Sequence, residues 1–246
     1  MFKEFFLTLL MSQNVLSLHV HIVGINSGLG REIAYQICQE GGYDSVTKIS
    51  GLCTLPDKRK GEFMVPYRGG GLSEDISDVS RVFFKSPLLE FYDYSQYGLV
   101  EPYDFLILST GGSAFESYDF SADVTRNLIE VLPSSCKLII CVSAFGVNKG
   151  WREQSELGMY GVIEGIGIKG MKDFYLKEVY SSKAEQEDML KDMESSLILR
   201  PKVLTYDNTT ILSRGISRKM LAQKMIQKMK ERYRSDNVGD DEVFTR

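Results

Sequence analysis

The stretch HIVGINSGLGREIA, residues 21–34, decides the fold because it joins two different hydrophobic patterns through a glycine-rich turn. The segment LHVHIVG (18–24) overlaps the start of this stretch. It is a short apolar run rich in β-branched residues, which is typical of a buried strand in a parallel sheet. After the turn, GREIAYQICQEGG (30–42) repeats apolar residues at helical spacing, and we expect this helix to end at Gly41–Gly42. The stretch therefore predicts the strand, turn and helix that open an α/β fold.

The rest of the chain repeats this alternation of strands and helices. Further strands are predicted at SVTKIS (45–50), LLEFYDY (88–94), YDFLILSTGG (103–112), CKLIICVSAFG (136–146) and SSLILRP (195–201), and a helix at SADVTRNLIEVL (121–132). Helices between parallel strands form right-handed crossovers that cover both faces of a sheet. The sequence thus predicts a doubly wound, mainly parallel sheet with helices on both faces, which is a Rossmann fold.

Length and composition favour one globular domain. The chain has 246 residues, 43% of them hydrophobic and 25% charged, which is ordinary for such a domain. We expect an apolar extension at 1–17, a single domain at 18–246 and an inserted loop near 54–86, which is long for a connection. The extension or the inserted loop could bind a partner protein.

Charge and cysteine usage narrow the class of protein. The net charge is −4 and the pI about 5.4, which argues against nucleic acid as a partner. The basic segment KMIQKMKERYR (224–234) has the spacing of the solvated face of an amphipathic helix. The apolar run 5–11 is too short to span a bilayer. Four cysteines without metal-ligand spacing predict no metal site and indicate a reducing compartment, the cytoplasm or an organellar matrix.

The glycine loop predicts a dinucleotide site. Glycine allows the chain to turn sharply and lets a pyrophosphate approach the backbone, while the helix N-terminus offers N–H groups to the phosphates. The alternative is a purely structural turn, because any tight strand-to-helix connection can use glycine. The candidate cofactor-binding residues of the loop are Gly24, Asn26, Ser27, Gly28, Leu29 and Gly30.

Several segments together resemble a known family. GINSGLGREIA resembles the cofactor loop of the short-chain dehydrogenase/reductase superfamily, and the later segments resemble its atypical, NmrA-like branch. The matching positions are a strand end at Val142, Ser143, Ala144 and Gly146, a helical Lys183 with Glu187 four residues on, a strand ending in Arg200–Pro201, and ISRKMLAQKMIQKM (216–229). The similarity runs in one order over about residues 18 to 232.

The resemblance implies a place for each half of the cofactor. Asp93 would lie beside the adenine, and Gly111 and Gly112 would flank the nicotinamide. In the family, the second strand ends near the residue that selects between the two cofactors, where a carboxylate would bind the ribose hydroxyls. Lys48 and Ser50 lie near that point and the cations of 58–60 follow, which favours NADP(H) slightly over NAD(H). Alternatively, these cations are solvated loop charge.

The catalytic residues of the family are only partly present. Typical members use a tyrosine as proton donor and a lysine four residues later, but none of the 13 tyrosines has such a lysine. Val179 occupies the tyrosine position relative to Lys183, and Tyr180 is adjacent. The candidate catalytic residues are Ser143, Tyr180 and Lys183; alternatively, Ser143 caps its strand and Tyr180 packs.

Two classes of function remain open at this point. His19 and His21 lie on the incoming half of the first strand, away from the ligand end of such a sheet. A histidine base and a zinc centre are therefore disfavoured. One hypothesis is a reductase of a small organic acceptor. The other is an inactive Rossmann module that senses nucleotide or redox state, or serves as an accessory subunit of a larger complex.

Overall fold

The computed structural model describes residues 17–39, 43–53, 86–110, 121–144, 147, 177–201, 204–205 and 216–237. Its main sheet consists of β1 (Leu18–Val23), β2 (Val46–Cys53), β3 (Leu89–Asp93), β4 (Phe105–Leu108), β5 (Leu138–Val142) and β6 (Ser196–Leu199). All neighbouring strands are parallel, in the order β3-β2-β1-β4-β5-β6. The order reverses between β1 and β4, as in a doubly wound Rossmann sheet. The predicted fold class and all six predicted strands are confirmed.

Within the described ranges, four α-helices lie against or beside this sheet. They are α1 (Gly28–Cys38), α2 (Ser121–Glu130), α3 (Lys177–Leu190) and α4 (Arg218–Asn237); a 3-10 helix covers Tyr94–Leu99, and β7 (Leu204–Thr205) pairs with β8 (Ile216–Ser217). The predicted end of α1 was wrong. The helix ends at Cys38 because Gln39 is extended, and its N–H donates to Tyr35 O at 3.1 Å. Gly41 and Gly42 lie outside the described residues.

The central strands β1, β4 and β5 are buried on both faces, which suits their mostly apolar sequences. Along β4, Phe105 and Ile107 join the core under α1 and α4, whereas Leu106 and Leu108 join the core under α2 and α3. In α4 the buried residues Leu221, Ala222, Met225, Ile226 and Met229 form one stripe. Lys224 and Lys228 are exposed. The basic segment is therefore the solvated face of an amphipathic helix, as predicted.

Some sequence predictions fall outside this framework. Residues 1–16 of the extension and 54–85 of the inserted loop are outside the described ranges, as are the cations at 58–60. Within the described ranges, no helix combines the length and the apolar character needed to cross a membrane.

The incoming half of β1 carries a buried chain of hydrogen bonds. His19 Nδ1 lies 2.9 Å from Pro102 O, and Ser50 Oγ lies 2.7 Å from both His19 Nε2 and His21 Nδ1. A carbonyl only accepts, so His19 donates to it through Nδ1, and neutral His19 must then accept from Ser50. Ser50 in turn accepts from His21. The proton positions of both neutral rings are thus fixed, and these histidines have a structural role in the sheet.

This chain of hydrogen bonds predicts acid-sensitive stability. Burial lowers the pKa of His21 from 6.5 to about 3 and lowers the pKa of His19, so the folded state resists proton uptake. Their contribution to stability is complete above the unfolded pKa near 6.5 and is lost as the pH falls through that value towards 3. We expect the free energy of unfolding to fall by up to about 1.4 kcal/mol per pH unit for each histidine.

Urea unfolding at pH 7 and pH 5 measures this loss. His21→Phe removes one titrating ring while leaving the surface carboxylates in place, so its free energy of unfolding should change less between the two pH values. An equal change in the free energy of unfolding of the wild type and of His21→Phe would show that His21 does not cause the acid sensitivity.

Candidate functional site

The loop after β1 has the backbone geometry that requires glycine. Gly24 has a φ of +75°, in the left-handed region. A Cβ on Gly24 would also lie 3.1 Å from the backbone carbonyl of Ser109 and from the nitrogen of Thr110. Gly24 therefore turns the chain where the carboxyl ends of β1 and β4 come closest.

Gly30 brings the first turn of α1 against this loop. A Cβ on Gly30 would lie 2.3 Å from Gly24 O and 2.9 Å from Ile25 Cα. Leu29 beside it is buried in the core, while Asn26 and Gly28 are half-buried. Of Leu29, only the backbone can therefore take part in binding.

The N-terminus of α1 presents N–H groups at the carboxyl edge of the sheet. Ser27 is the N-cap, and its Oγ accepts from the Gly30 N–H at 3.0 Å. The first intrahelical bond runs from Arg31 N to Ser27 O. The N–H groups of Gly28 and Leu29 precede that bond, so they point out of the helix end. This is the arrangement that binds phosphate at helix N-termini.

Gly51 is a supporting residue that the sequence prediction missed. It lies in β2, and a Cβ there would be 2.4 Å from Ile25 Cγ2 and 2.6 Å from its Cδ1. Ile25 belongs to the glycine loop and is fully buried. Because Gly51 has no side chain, it leaves room for Ile25, which anchors the glycine loop against the sheet. A lone glycine within a strand pattern is the signal that could have found it.

Gly51→Ala should destabilise the fold by about 1–3 kcal/mol, because the new methyl group overlaps the Ile25 side chain. Ile25→Ala removes the overlapping atoms, so the double variant should be more stable than the sum of the single effects predicts. Urea unfolding of the four proteins measures this coupling. Additive losses, within about 0.5 kcal/mol, would mean that the two residues do not contact as described.

The end of β2 corrects one prediction about the cofactor. β2 extends to Cys53, so Lys48 and Ser50 lie inside the strand rather than at its end. Lys48 Nζ pairs with Glu90 at 2.9 Å and with Glu101 at 2.8 Å. Neither Lys48 nor Ser50 is at the end of β2, where the resemblance implies the residue that selects between the two cofactors. The strand ends at Cys53.

Asp93 ends β3 directly opposite Cys53. Its Oδ1 accepts from Ser95 N at 3.0 Å and from Ser95 Oγ at 2.8 Å, so the carboxylate caps the 3-10 helix. Asp93 is thus at the carboxyl edge, as the resemblance implies. Its contact with an adenine stays a prediction.

Lys183 joins the carboxyl ends of β4 and β5. The residue is 3% exposed, and its ammonium donates to Thr110 O, to Val142 O at 3.0 Å and to Gln186 Oε1 at 3.0 Å. These hydrogen bonds hold the two strand ends beside α3. Gln186 Nε2 donates onward to Thr125 Oγ1 at 2.7 Å, which ties Lys183 to α2.

Two buried hydroxyls lie beside this lysine. Ser143 follows β5 and Thr110 follows β4, and each residue is about 5% exposed. Neither Ser143 Oγ nor Thr110 Oγ1 has a hydrogen-bond partner among the described residues. The Ser143 hydroxyl therefore does not cap its strand. Thr110 was missed, although a hydroxyl residue near the carboxyl end of the predicted strand 103–112 is a recognisable signal.

Tyr180 is buried on α3, and burial raises the pKa of its phenol. A proton donor assisted by a lysine needs a lowered pKa, whereas desolvation by burial raises the pKa of Tyr180. Its catalytic role stays a prediction.

Glu187 of α3 and Arg200, which directly follows β6, form a bidentate ion pair. Arg200 Nε lies 2.8 Å from Glu187 Oε1 and Nη2 lies 2.7 Å from Oε2, with the carboxylate 1% exposed and the guanidinium 36% exposed. The pair fixes α3 to the end of β6. Three segments of the family resemblance therefore lie close together, whereas Gly111, Gly112 and Gly146 are outside the described residues.

Solved structures share this architecture over most of the chain. A short-chain dehydrogenase/reductase from Veillonella parvula in complex with NADP is 11% identical, with a TM-score of 0.52 and 87% of each chain covered. An anaerobilin reductase from Escherichia coli O157:H7 is 12% identical, with a TM-score of 0.51, and the match covers 86% of this chain and 90% of that one.

The Bordetella bronchiseptica enzyme WbmH in complex with NAD+ is 12% identical, with a TM-score of 0.52, and the match covers 87% of this chain and 72% of that one. No family model and no curated protein sequence matches the chain. At these identities the likeness establishes the fold. By fold, the chain is a Rossmann protein.

Proposed function

We propose that this chain binds a nicotinamide dinucleotide across the carboxyl ends of its sheet, as an atypical, NmrA-like member of the superfamily. The observation that carries the proposal is the glycine loop. It meets the N-terminus of α1 beside the point where the strand order reverses between β1 and β4. Ligands of open α/β sheets bind at such reversal points.

The described residues fit such a cofactor at both ends. A Cβ on Gly24 or Gly30 would fill the tight turn, and the first N–H groups of α1 suit the pyrophosphate. At the other end, Ser143 and Thr110 keep buried hydroxyls without partners among the described residues. The adenosine would lie towards Cys53 and Asp93, and the nicotinamide towards Ser143 and Lys183, with Gly111 and Gly112 beside it.

We favour NADP(H) over NAD(H) because the last residue of β2 is Cys53 and not a carboxylate. A carboxylate there would bind the ribose hydroxyls and repel a 2′-phosphate. The neighbours in complex with NADP and with NAD+ support a nicotinamide dinucleotide of either kind.

As an activity, we propose reduction of a small organic acceptor. The reduced nicotinamide, when bound, supplies the hydride, and the protein supplies binding and orientation. Ser143 provides a hydroxyl at the reacting end, and Lys183 holds the strand ends that carry it. Tyr180 stands next to the missing tyrosine position. Since its pKa is raised, we expect the proton to come from solvent.

The second candidate is a binding module without turnover, which acts as a nucleotide or redox sensor or as an accessory subunit. The hydrogen bonds of the Lys183 ammonium to the strand ends and the raised pKa of Tyr180 favour it. In either role, residues 1–17 and the loop near 54–86 are the proposed docking segments for a partner protein. A reducing cytoplasm suits the cysteines that form no disulfide within the described residues, Cys38, Cys53, Cys136 and Cys141.

A turnover assay separates the two candidates. NADPH oxidation is followed at the reduced nicotinamide absorbance band with carbonyl, quinone and flavin acceptors, for the wild type and for Ser143→Ala. Turnover that falls in Ser143→Ala supports the reductase. Bound cofactor with no oxidation across the panel supports the sensor or subunit.

A further inference from the structure

The two unpartnered hydroxyls lie opposite each other across neighbouring strands. β4 and β5 pair in register, with Leu108 opposite Cys141. Continuing that register by two residues places Thr110 opposite Ser143. Lys183 Nζ donates to both Thr110 O and Val142 O, so the two strand ends lie side by side beyond the last paired residues.

Both hydroxyls also belong to the same face of the sheet. Successive side chains of a strand alternate between faces, and Leu106, Leu108, Ile139 and Cys141 all lie in the core under α2 and α3. The same alternation puts Thr110 and Ser143 on that face, next to Lys183 of α3. Buried hydroxyls in proteins normally have hydrogen-bond partners. Two without partners at one place indicate that a bound group supplies them.

The neighbouring lysine does not satisfy this need. Its ammonium donates to two strand-end carbonyls and to Gln186, so it holds the strand ends, and both hydroxyls still have no hydrogen-bond partner among the described residues. The hydroxyls of Thr110 and Ser143, here called the hydroxyl pair, are therefore available to meet a ligand. Each hydroxyl can donate and accept a hydrogen bond.

We propose that the hydroxyl pair binds the carboxamide of the nicotinamide ring. A primary amide carries an acceptor oxygen and a donor NH2 side by side, which complements two adjacent hydroxyls: one donates to the carbonyl oxygen and the other accepts from the NH2. The pair is about 95% buried, which suits a part of the cofactor held against the protein. This inference rests on the proposed dinucleotide function and assigns Thr110 a role in it.

The test compares Thr110→Val and Ser143→Ala with Ser109→Ala as the matched control. Ser109 is equally buried at the same strand end, but its Oγ donates to Val23 O at 2.8 Å. Thermal unfolding of each ligand-free variant is measured first. Affinities are then measured by calorimetry for NADPH and for 2′-phospho-ADP-ribose, which lacks the nicotinamide, and likewise for NADH and ADP-ribose.

Removing an unpartnered hydroxyl should leave the melting temperature of the ligand-free protein unchanged or raise it, whereas Ser109→Ala should lower it. Thr110→Val and Ser143→Ala should each weaken binding of the intact dinucleotide by roughly fivefold. The fragment should bind within about twofold of wild type, since it makes no contact with the pair.

Three results would overturn the inference: melting temperatures that fall as far as in Ser109→Ala, unchanged affinity for the dinucleotide, or equal losses for dinucleotide and fragment. A wild-type protein that binds neither dinucleotide nor fragment would overturn the proposed function itself. Binding of both by the wild type, with variants that behave like it, would overturn only the role of the hydroxyl pair.

Discussion

Gly30→Ala should weaken binding of the dinucleotide by at least about tenfold, which corresponds to about 1.4 kcal/mol. The new Cβ would lie 2.3 Å from the backbone oxygen of Gly24 and 2.9 Å from Ile25 Cα. These are backbone atoms, so the first turn of α1 must move away from the loop. That movement displaces the N–H groups that are proposed to hold the pyrophosphate.

Gly98→Ala is the matched control for this change. A Cβ on Gly98 meets nothing within 4 Å, so the same chemical substitution should leave affinity and melting temperature unchanged. Calorimetry gives the affinities, and circular dichroism checks that the Gly30 variant is folded. If folded Gly30→Ala binds within twofold of wild type, the phosphates do not lie on this loop.

Arg200→Met should lower the free energy of unfolding by about 2–4 kcal/mol, because it removes the guanidinium that pairs with both oxygens of the buried Glu187 carboxylate. This expected loss of stability is smaller than for a fully buried ion pair, because the Arg200 side chain is 36% exposed. Without the guanidinium, the buried carboxylate favours its neutral form. The stability deficit should therefore shrink as the pH is lowered and the carboxyl group takes up a proton.

Glu187→Gln should cost less, because the partly exposed guanidinium of Arg200 can be hydrated while the 1% exposed carboxylate cannot. Lys228→Met, which breaks an exposed pair with Glu231 on α4, serves as the control and should leave stability unchanged. Urea unfolding at pH 7 and pH 5 measures all three variants. Equal losses for Arg200→Met and Glu187→Gln would contradict the asymmetric burial of this pair.

The strands could be predicted from sequence because a parallel sheet covered on both faces demands continuous apolar runs. LHVHIV, FLIL and LIICV are such runs, and each forms a central strand. The glycine loop could be located for a related reason. Its glycines meet a backbone requirement that is local in sequence, between β1 and the first turn of α1.

Contacts between distant segments could not be predicted in the same way. Nothing local in KISGLC shows that β2 continues to Cys53, that Ser50 joins two histidines, or that Gly51 makes room for Ile25. Likewise, Lys183 could be aligned with the family lysine, but its three acceptors come from β4, β5 and its own helix. Such partners become visible only when the strand order and register are known.

A calorimetric titration of the wild-type protein with NADPH, NADP+, NADH and NAD+ tests the central claim most directly. The glycine loop at the reversal point of the sheet predicts saturable binding of at least one of these dinucleotides, with one site per chain and tighter binding of the 2′-phosphorylated forms. No detectable binding of any of the four would contradict the claim, and the glycine loop would then be only a structural turn.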